Sequence, residues 1–283
     1  MDWVERLNQS MSYIEEHLTD EIDYDELGRI ACCSTYHYQR MFTYMAGISL
    51  AEYIRRRKMS VAAIDLQSGK EKIIDVAAKY GYSSPTAFNR AFQSFHGIAP
   101  SMLKNGSTLV KSFSPIAFYI TVKGATEMNY RMETKGAFRI IGVSAPLHRE
   151  MEKNFMVVPK MWQAAAADGT IQTLASMMDA PPMGLLGVSA CNDEDQWKYW
   201  IAVSSTKERG DFEEYIVPAS TWAIFSGAGS NQSIQDLERR IIAEWLPGSG
   251  YEYGNAPDIE VYWNADPQNA KYEVWIPVVR KGA

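Results

Sequence analysis

The chain has 283 residues, 46% of them hydrophobic, and a net charge of −6. Length favours two domains, each with material for its own core. No apolar run reaches the roughly 18 residues of a membrane span, and the start Met1-Asp2-Trp3-Val4-Glu5 lacks a basic-then-apolar leader, so a cytoplasmic protein is expected. Three cysteines (Cys32, Cys33, Cys191) without a CxxC pair, and four histidines, argue against a zinc or disulfide framework; no metal or cofactor is expected.

The charge is unevenly spread. Residues 1–26 carry nine acids and one base, residues 27–105 eleven bases and four acids, and residues 106–283 sixteen bases and twenty-one acids. Only the middle stretch is basic, as a phosphate-binding surface requires.

The first predicted element is a helix over 2–18, with Val4, Leu7, Met11, Ile14 and Leu18 at helical spacing. The basic stretch then says the same thing twice. Asp25-Glu26-Leu27-Gly28-Arg29-Ile30-Ala31 leads through Cys32-Cys33-Ser34 to Tyr36-His37-Tyr38-Gln39-Arg40-Met41-Phe42 and Gly47-Ile48. Ile74-Asp75-Val76-Ala77-Ala78 leads through Gly81-Tyr82-Ser83-Ser84 to Ala87-Phe88-Asn89-Arg90-Ala91-Phe92 and Gly97-Ile98. A short helix, a turn of small residues and a longer helix, repeated, predict two helix-turn-helix units over 23–46 and 73–95. Pro85 after two serines marks the start of the second recognition helix. A helix over 49–67 joins the units, with Leu50, Tyr53, Ile54, Val61 and Ile64 on its apolar stripe, and a short turn near 100–103 closes the domain. A spacer of about 19 residues spans roughly 28 Å, enough to hold two recognition helices about one DNA turn apart. It carries Arg55-Arg56-Arg57-Lys58, read either as a solvated face or, through Arg55 and Arg56, as phosphate contacts. Phe42, Phe88, Phe92 and Phe95 are expected in the core.

From Asn105-Gly106-Ser107 helical periodicity stops. Residues 106–127 read as a linker, with 109–123 a docking segment or hairpin. Strands are then predicted at 138–143, 184–190, 197–203, 212–217, 220–225, 258–263 and 272–278, with helices at 159–167 and 233–245. The fold class is α+β: an all-α tandem helix-turn-helix domain over 1–105, then a duplicated β-α-β-β antiparallel-sheet domain over 128–283 with a central cleft.

The N-terminal motifs, with Tyr53-Ile54-Arg55-Arg56-Arg57-Lys58-Met59 and Phe92 to Pro100, resemble the DNA-binding domain of AraC/XylS-type transcription regulators, in the monomeric stress-response branch whose DNA-binding domain comes first. Residues 128–283 resemble the gyrase-inhibitor-like effector-binding domain, through Ile216-Val217-Pro218-Ala219-Ser220-Thr221-Trp222-Ala223, Glu244-Trp245-Leu246-Pro247 and Tyr272-Glu273-Val274-Trp275-Ile276-Pro277. The first resemblance places Tyr36, Gln39 and Arg40, and in the second unit Pro85, Thr86, Asn89 and Arg90, at the DNA groove. Arginine suits guanine and Asn or Gln suits adenine, whereas Pro85 offers only apolar contact. The alternative for Arg40 and Arg90 is a salt bridge inside the domain. The second resemblance implies one buried carboxylate among aromatic rings that holds cationic or amphipathic ligands. Glu273 occupies the matching strand position and shares a strand face with Trp275; Tyr199, Tyr215, Trp222, Trp245 and Tyr262 are candidate walls. The alternative for Glu273 is a cross-strand salt bridge.

These readings describe a non-enzymatic regulator that binds double-stranded DNA and a small-molecule effector, contacts RNA polymerase, and works at the nucleoid without a membrane. Two alternatives stay open for the second domain: a small-molecule hydrolase built on a Glu with Trp or Tyr, and a protein-interaction module without ligand.

Overall fold

The computed structural model describes residues 3–105, 108–119, 127–148, 151–191, 197–264 and 269–281. The chain divides into two compact units, Met1–Ile120 and Thr121–Ala283.

The first unit is helical: α1 (Trp3–Glu16), α2 (Tyr24–Ala31), α3 (Thr35–Ala46), α4 (Leu50–Gln67), α5 (Ile73–Lys79), α6 (Pro85–His96) and a 3-10 turn at Pro100–Asn105. The helix starts are written in the sequence. Ser34, Ser49 and Ser84 each accept the amide of the residue three further on, and Asp23 does the same for α2. Pro85 takes the first helical position of α6. The repeat also shows in the stops, because Gly47 and Gly97 end the two recognition helices in the left-handed conformation. Between α2 and α3 the backbones approach closely: a Cβ on Gly28 would lie 2.8 Å from the Cys33 carbonyl oxygen.

Each helix-turn-helix owns a core. Leu7, Met11 and Ile14 of α1 are buried with Leu27, Tyr38, Met41 and Phe42. Met59, Ala62, Ala63 and Leu66 of α4 pack against Val76, Tyr80, Phe88, Phe92 and Leu103. The expected stripe on α4 therefore needs one correction: Ile64 is 64% exposed. The alanines at 62 and 63 face α5 and α6 instead, because small side chains let helices approach.

The second unit is one antiparallel sheet backed by helices: β1 (Tyr130–Lys135), β2 (Phe138–Pro146), α7 (Met151–Ala167), α8 (Thr170–Met177), β3 (Leu185–Cys191), β4 (Trp197–Ser204), β5 (Glu213–Val217), β6 (Ser220–Gly229), α9 (Asn231–Arg240), β7 (Tyr251–Tyr253), β8 (Asp258–Tyr262) and β9 (Ala270–Arg280). After α9 the chain continues through a π-helical turn at Ile241–Trp245. The strand order is β1-β6-β9-β8-β3-β4-β2-β5, with β7 added on β9. The doubling is real, and each half opens with an extra strand ahead of its β-α-β-β: β5, where the sequence pattern put a strand at 212–217, and β1, where it put none. Those first strands are exchanged: β1 pairs with β6 of the second half, and β5 pairs with β2 of the first. The halves join where β3 pairs with β8. The helix expected from Pro159 begins at Met151, with Pro159 inside it.

Alternation sorts the sheet into two faces. On one, Ile141, Leu185, Tyr199, Ile201 and Val203 pack under Ala165 of α7 and Ile171 and Leu174 of α8. The other face carries Ile140, Leu186, Val188, Trp200, Val217, Trp222, Ile224, Val261 and Trp275. It curls on itself, since the rings of Phe138 (β2) and Trp222 (β6) lie 6.3 Å apart although their strands are far apart in the sheet order.

Candidate DNA interface and effector site

On α6 helical spacing buries Phe88, Phe92 and His96 and turns Pro85, Thr86 and Arg90 outward, with Asn89 half-buried beside them and Gln93 exposed one turn on. Arg90 makes no hydrogen bond or ion pair among the described residues, so its fork of donors is available to a base edge. The first recognition helix differs. Tyr36 is half-buried, while Gln39 and Arg40 are only 6% and 7% exposed. The Arg40 guanidinium lies over the Tyr44 ring at 5.7 Å. The two helices, alike in sequence, thus expose the residues expected at the DNA groove unequally.

The basic run on α4 splits by helical position. Arg57 points inward and is bidentate to Glu15 of α1, at 2.7 and 2.9 Å. Arg55 and Arg56 face outward and share Glu52. Partial burial pushes the Glu52 carboxyl up, but hydrogen bonds from Arg56 and then Arg55 outweigh that and hold it below the usual carboxylate range. Two arginines on one carboxylate leave a net positive edge, with Arg56 also over the Phe113 ring at 5.3 Å.

In the second unit the expected wall residues divide into separate groups: Trp222 and Trp275 lie 6.0 Å apart in one cluster with Tyr215 packed against it, Tyr199 and Tyr262 meet elsewhere, and Trp245 joins neither. Glu273 is buried and pinned by Arg131, whose Nη2 reaches Oε2 at 3.1 Å, by the Trp275 indole N–H at 2.9 Å and, at 3.5 Å, by the Ser226 hydroxyl. The cross-strand salt bridge is therefore what the geometry realises: Glu273 is neutralised within the fold, and Trp275 serves it and takes the Lys135 ammonium over its ring at 5.5 Å. Trp222 is fully buried and donates to the Pro257 carbonyl. Tyr215 packs on Trp200 and donates to the Cys191 carbonyl. Trp245 sits apart, against Tyr130, Phe225 and Tyr251.

Tyr199 and Tyr262 meet on the helix-covered face around a carboxylate that the sequence pattern did not single out. Both hydroxyls donate to Oε2 of Glu260, at 3.0 and 2.9 Å. The Trp162 indole of α7 donates to the Tyr199 oxygen at 2.9 Å and meets the Tyr262 ring edge-on at 5.3 Å. Burial first, then the Glu260 charge, raises the Tyr262 phenol well above its ordinary pKa, so it stays a donor. Met161, Met177 and Met178 border the same cluster. Glu260 lies on β8 opposite Gly187 of β3, on the seam between the halves. A half-buried carboxylate with three rings around it attracts a cation by charge and by ring quadrupole. The signal was legible: in Asp258-Ile259-Glu260-Val261-Tyr262, alternation puts two acids and a tyrosine on one face of an apolar strand.

Among the described residues no helix is long and apolar enough to cross a membrane. Residues 27–106 match the helix-turn-helix domain family and residues 128–279 the GyrI-like small molecule binding domain family. The transcriptional regulator Rob of Salmonella typhimurium is 30% identical over 99% of this chain and 100% of its own length. The right origin-binding protein of Escherichia coli is likewise 30% identical over 99% of this chain and all of its own. The transcriptional activator AarP of Providencia stuartii is 33% identical over 36% of this chain and 76% of its own. With tandem helix-turn-helix units, a duplicated sheet domain and end-to-end similarity to Rob, the chain belongs to the Rob family of AraC-type DNA-binding regulators that carry a GyrI-like small-molecule-binding domain.

Proposed function

We propose that the chain is a one-component transcription regulator in which residues 1–105 read DNA and residues 128–283 bind a cationic or amphipathic effector at Glu260. The observation that carries the effector site is the Glu260 carboxylate, on the seam of the duplicated sheet, with the Tyr199 and Tyr262 hydroxyls on one of its oxygens and the Trp162 indole behind them. An incoming cation would gain a charge-assisted contact and three ring faces in a partly desolvated setting. The second domain acts as a binding module rather than an enzyme. On the DNA side, Pro85, Thr86, Asn89 and Arg90 form the open reading surface, Tyr36, Gln39 and Arg40 the second one, and Arg55 and Arg56 phosphate contacts. RNA polymerase is the further partner, and the cytoplasm, at the nucleoid, the place of action.

The test uses the full chain and two isosteric probes, phenyltrimethylammonium and tert-butylbenzene. The wild type binds the cation more tightly, and Glu260→Gln loses about 1.5–3 kcal/mol, roughly ten- to a hundredfold, for the cation only. Titration calorimetry reads both. Equal affinity of wild type for the two probes, or equal losses in the variant, removes Glu260 from the site.

A further inference from the structure

Beyond α6 and the 3-10 turn, residues 108–119 lie on the helical unit with neither helix nor strand of their own. A chain in that state must find partners for its backbone groups. Side chains supply them. The amide of Lys111 donates to His96 Nδ1 at 3.2 Å, Phe113 to Ser60 Oγ at 2.8 Å, Ile116 to the Tyr53 hydroxyl at 3.3 Å, and Phe118 to Asn8 Oδ1 at 2.7 Å. Asn8 returns its Nδ2 to the Phe118 carbonyl at 2.9 Å, and Arg57 reaches the Phe113 carbonyl. Rings follow the same track: Phe113 meets Tyr53 and Phe118 meets Phe42, each at 6.0 Å. This strap is held by α1, α4 and α6 together.

Of these clamps His96 alone has an ordinary pKa close to neutrality. It is the last residue of α6, 5% exposed, and both ring nitrogens are in use. Nε2 lies 3.1 Å from the Met59 carbonyl on α4, which only accepts, so Nε2 carries the proton. Nδ1 faces the Lys111 N–H, which only donates, so Nδ1 is the lone pair. The clamp therefore works only with a neutral ring. A second proton would land on Nδ1 and point at the Lys111 N–H. Around the ring α6 presents Phe92 and Phe95 at 4.1 and 4.7 Å, α4 presents the Met59 carbonyl, which favours the proton, and the strap presents the Lys111 ammonium, which opposes it.

We propose that His96 is a proton-operated latch that fastens the strap to the end of the second recognition helix and releases it at mildly acidic pH, lowering specific DNA affinity. The proposal rests on α6 reading DNA. Burial lowers the His96 pKa, the Met59 carbonyl pulls it back up, and Lys111 lowers it again. Since the folded value lies below the unfolded one, the latch stabilises the fold above the unfolded pKa, and that contribution fades as pH falls toward the folded value.

The experiment follows hydrogen–deuterium exchange of the strap and specific DNA affinity of the full chain from pH 7.5 to 5.5. The wild type and His96→Asn, whose amide oxygen keeps an acceptor near Nδ1 but does not titrate, are compared. In the wild type, intrinsic-rate-corrected protection at Lys111 and affinity fall together; between the unfolded pKa and the lower native one the open population rises by up to about tenfold per pH unit, and below the native one it levels off. The variant keeps both flat. Strap protection that ignores pH in the wild type, or a variant that retains the wild-type profile, overturns the latch. So does a strap that opens while affinity holds. Should the variant not fold, the wild-type His96 Nδ1 resonance and the Lys111 amide resonance are titrated instead: one shared midpoint supports the latch, and separate midpoints refute it. Arg90→Ala, measured at pH 7.5, tests the reading role of α6 separately.

Discussion

Gly187 and Glu260 face one another across the seam of the duplicated sheet, and the space over Gly187 is filled by the contact between Glu260 and the Tyr199 hydroxyl. A Cβ there would lie 2.2 Å from the Tyr199 hydroxyl and 2.7 Å from Glu260 Oε2. The glycine is required by what crosses above it, not by its backbone angles.

Gly187→Ala is therefore expected to pry Tyr199 from Glu260. Overpacking of this kind costs about 1–3 kcal/mol. Affinity for phenyltrimethylammonium should fall about tenfold, equivalent to 1.4 kcal/mol. Calorimetry and thermal unfolding of the variant read the two effects; unchanged affinity would separate the glycine from the site.

Glu273→Gln should behave in the opposite way. It breaks the pair with Arg131, which is half-exposed, so the loss is about 1–3 kcal/mol rather than the roughly 3–5 of a wholly buried pair. The transition should drop by roughly 2–4 °C per kcal/mol, while cation affinity stays within twofold of wild type, about 0.4 kcal/mol. A selective loss of cation binding with no thermal shift would restore Glu273 as the ligand carboxylate.

On the DNA side, Arg90→Ala is expected to weaken specific binding by about 1–3 kcal/mol and to relax preference at one or two base pairs. Neutralising Arg55 and Arg56 should weaken all sequences alike and flatten the salt dependence by about one unit for each phosphate no longer neutralised. Binding-site selection distinguishes them, and an Arg90 variant with unaltered preferences would take this residue off the base edges.

The helical half was almost fully legible because its information is local. Ser34, Ser49, Ser84, Pro85, Gly47 and Gly97 punctuate the helices within one turn of where they act. Ile64 shows the limit, since periodicity placed it in the stripe and packing against α5 and α6 chose Ala62 and Ala63 instead. In the sheet domain strands were visible by alternation, but partners were not. β1, with Arg131, Glu133 and Lys135 in six residues, reads as surface until Glu273 and Trp275 are seen beneath them. The same non-local fact separates the two candidate carboxylates. Glu273 and Glu260 look equivalent on paper, each on an apolar strand beside aromatics. Only the pairing of β1 with β6, and of β6 with β9, delivers Arg131 to one and not the other. Of the expected linker 106–127, residues 106–107 and 120–126 lie outside the described residues.

The exchange of β1 and β5 ties the two halves into one sheet that neither completes alone. Neither half holds a complete hydrogen-bonded set: cut between β4 and β5, the first piece leaves β1 without β6 and bares the edge of β2. A single half is thus an unfinished sheet with one spare strand and two vacated edges, those of β2 and β3, which is the description of a subunit that pairs with its twin. The topology is that of a strand-swapped symmetric dimer written into one chain. In one chain the two sides of the seam need not be alike, and here one carries a glycine where the other carries a carboxylate.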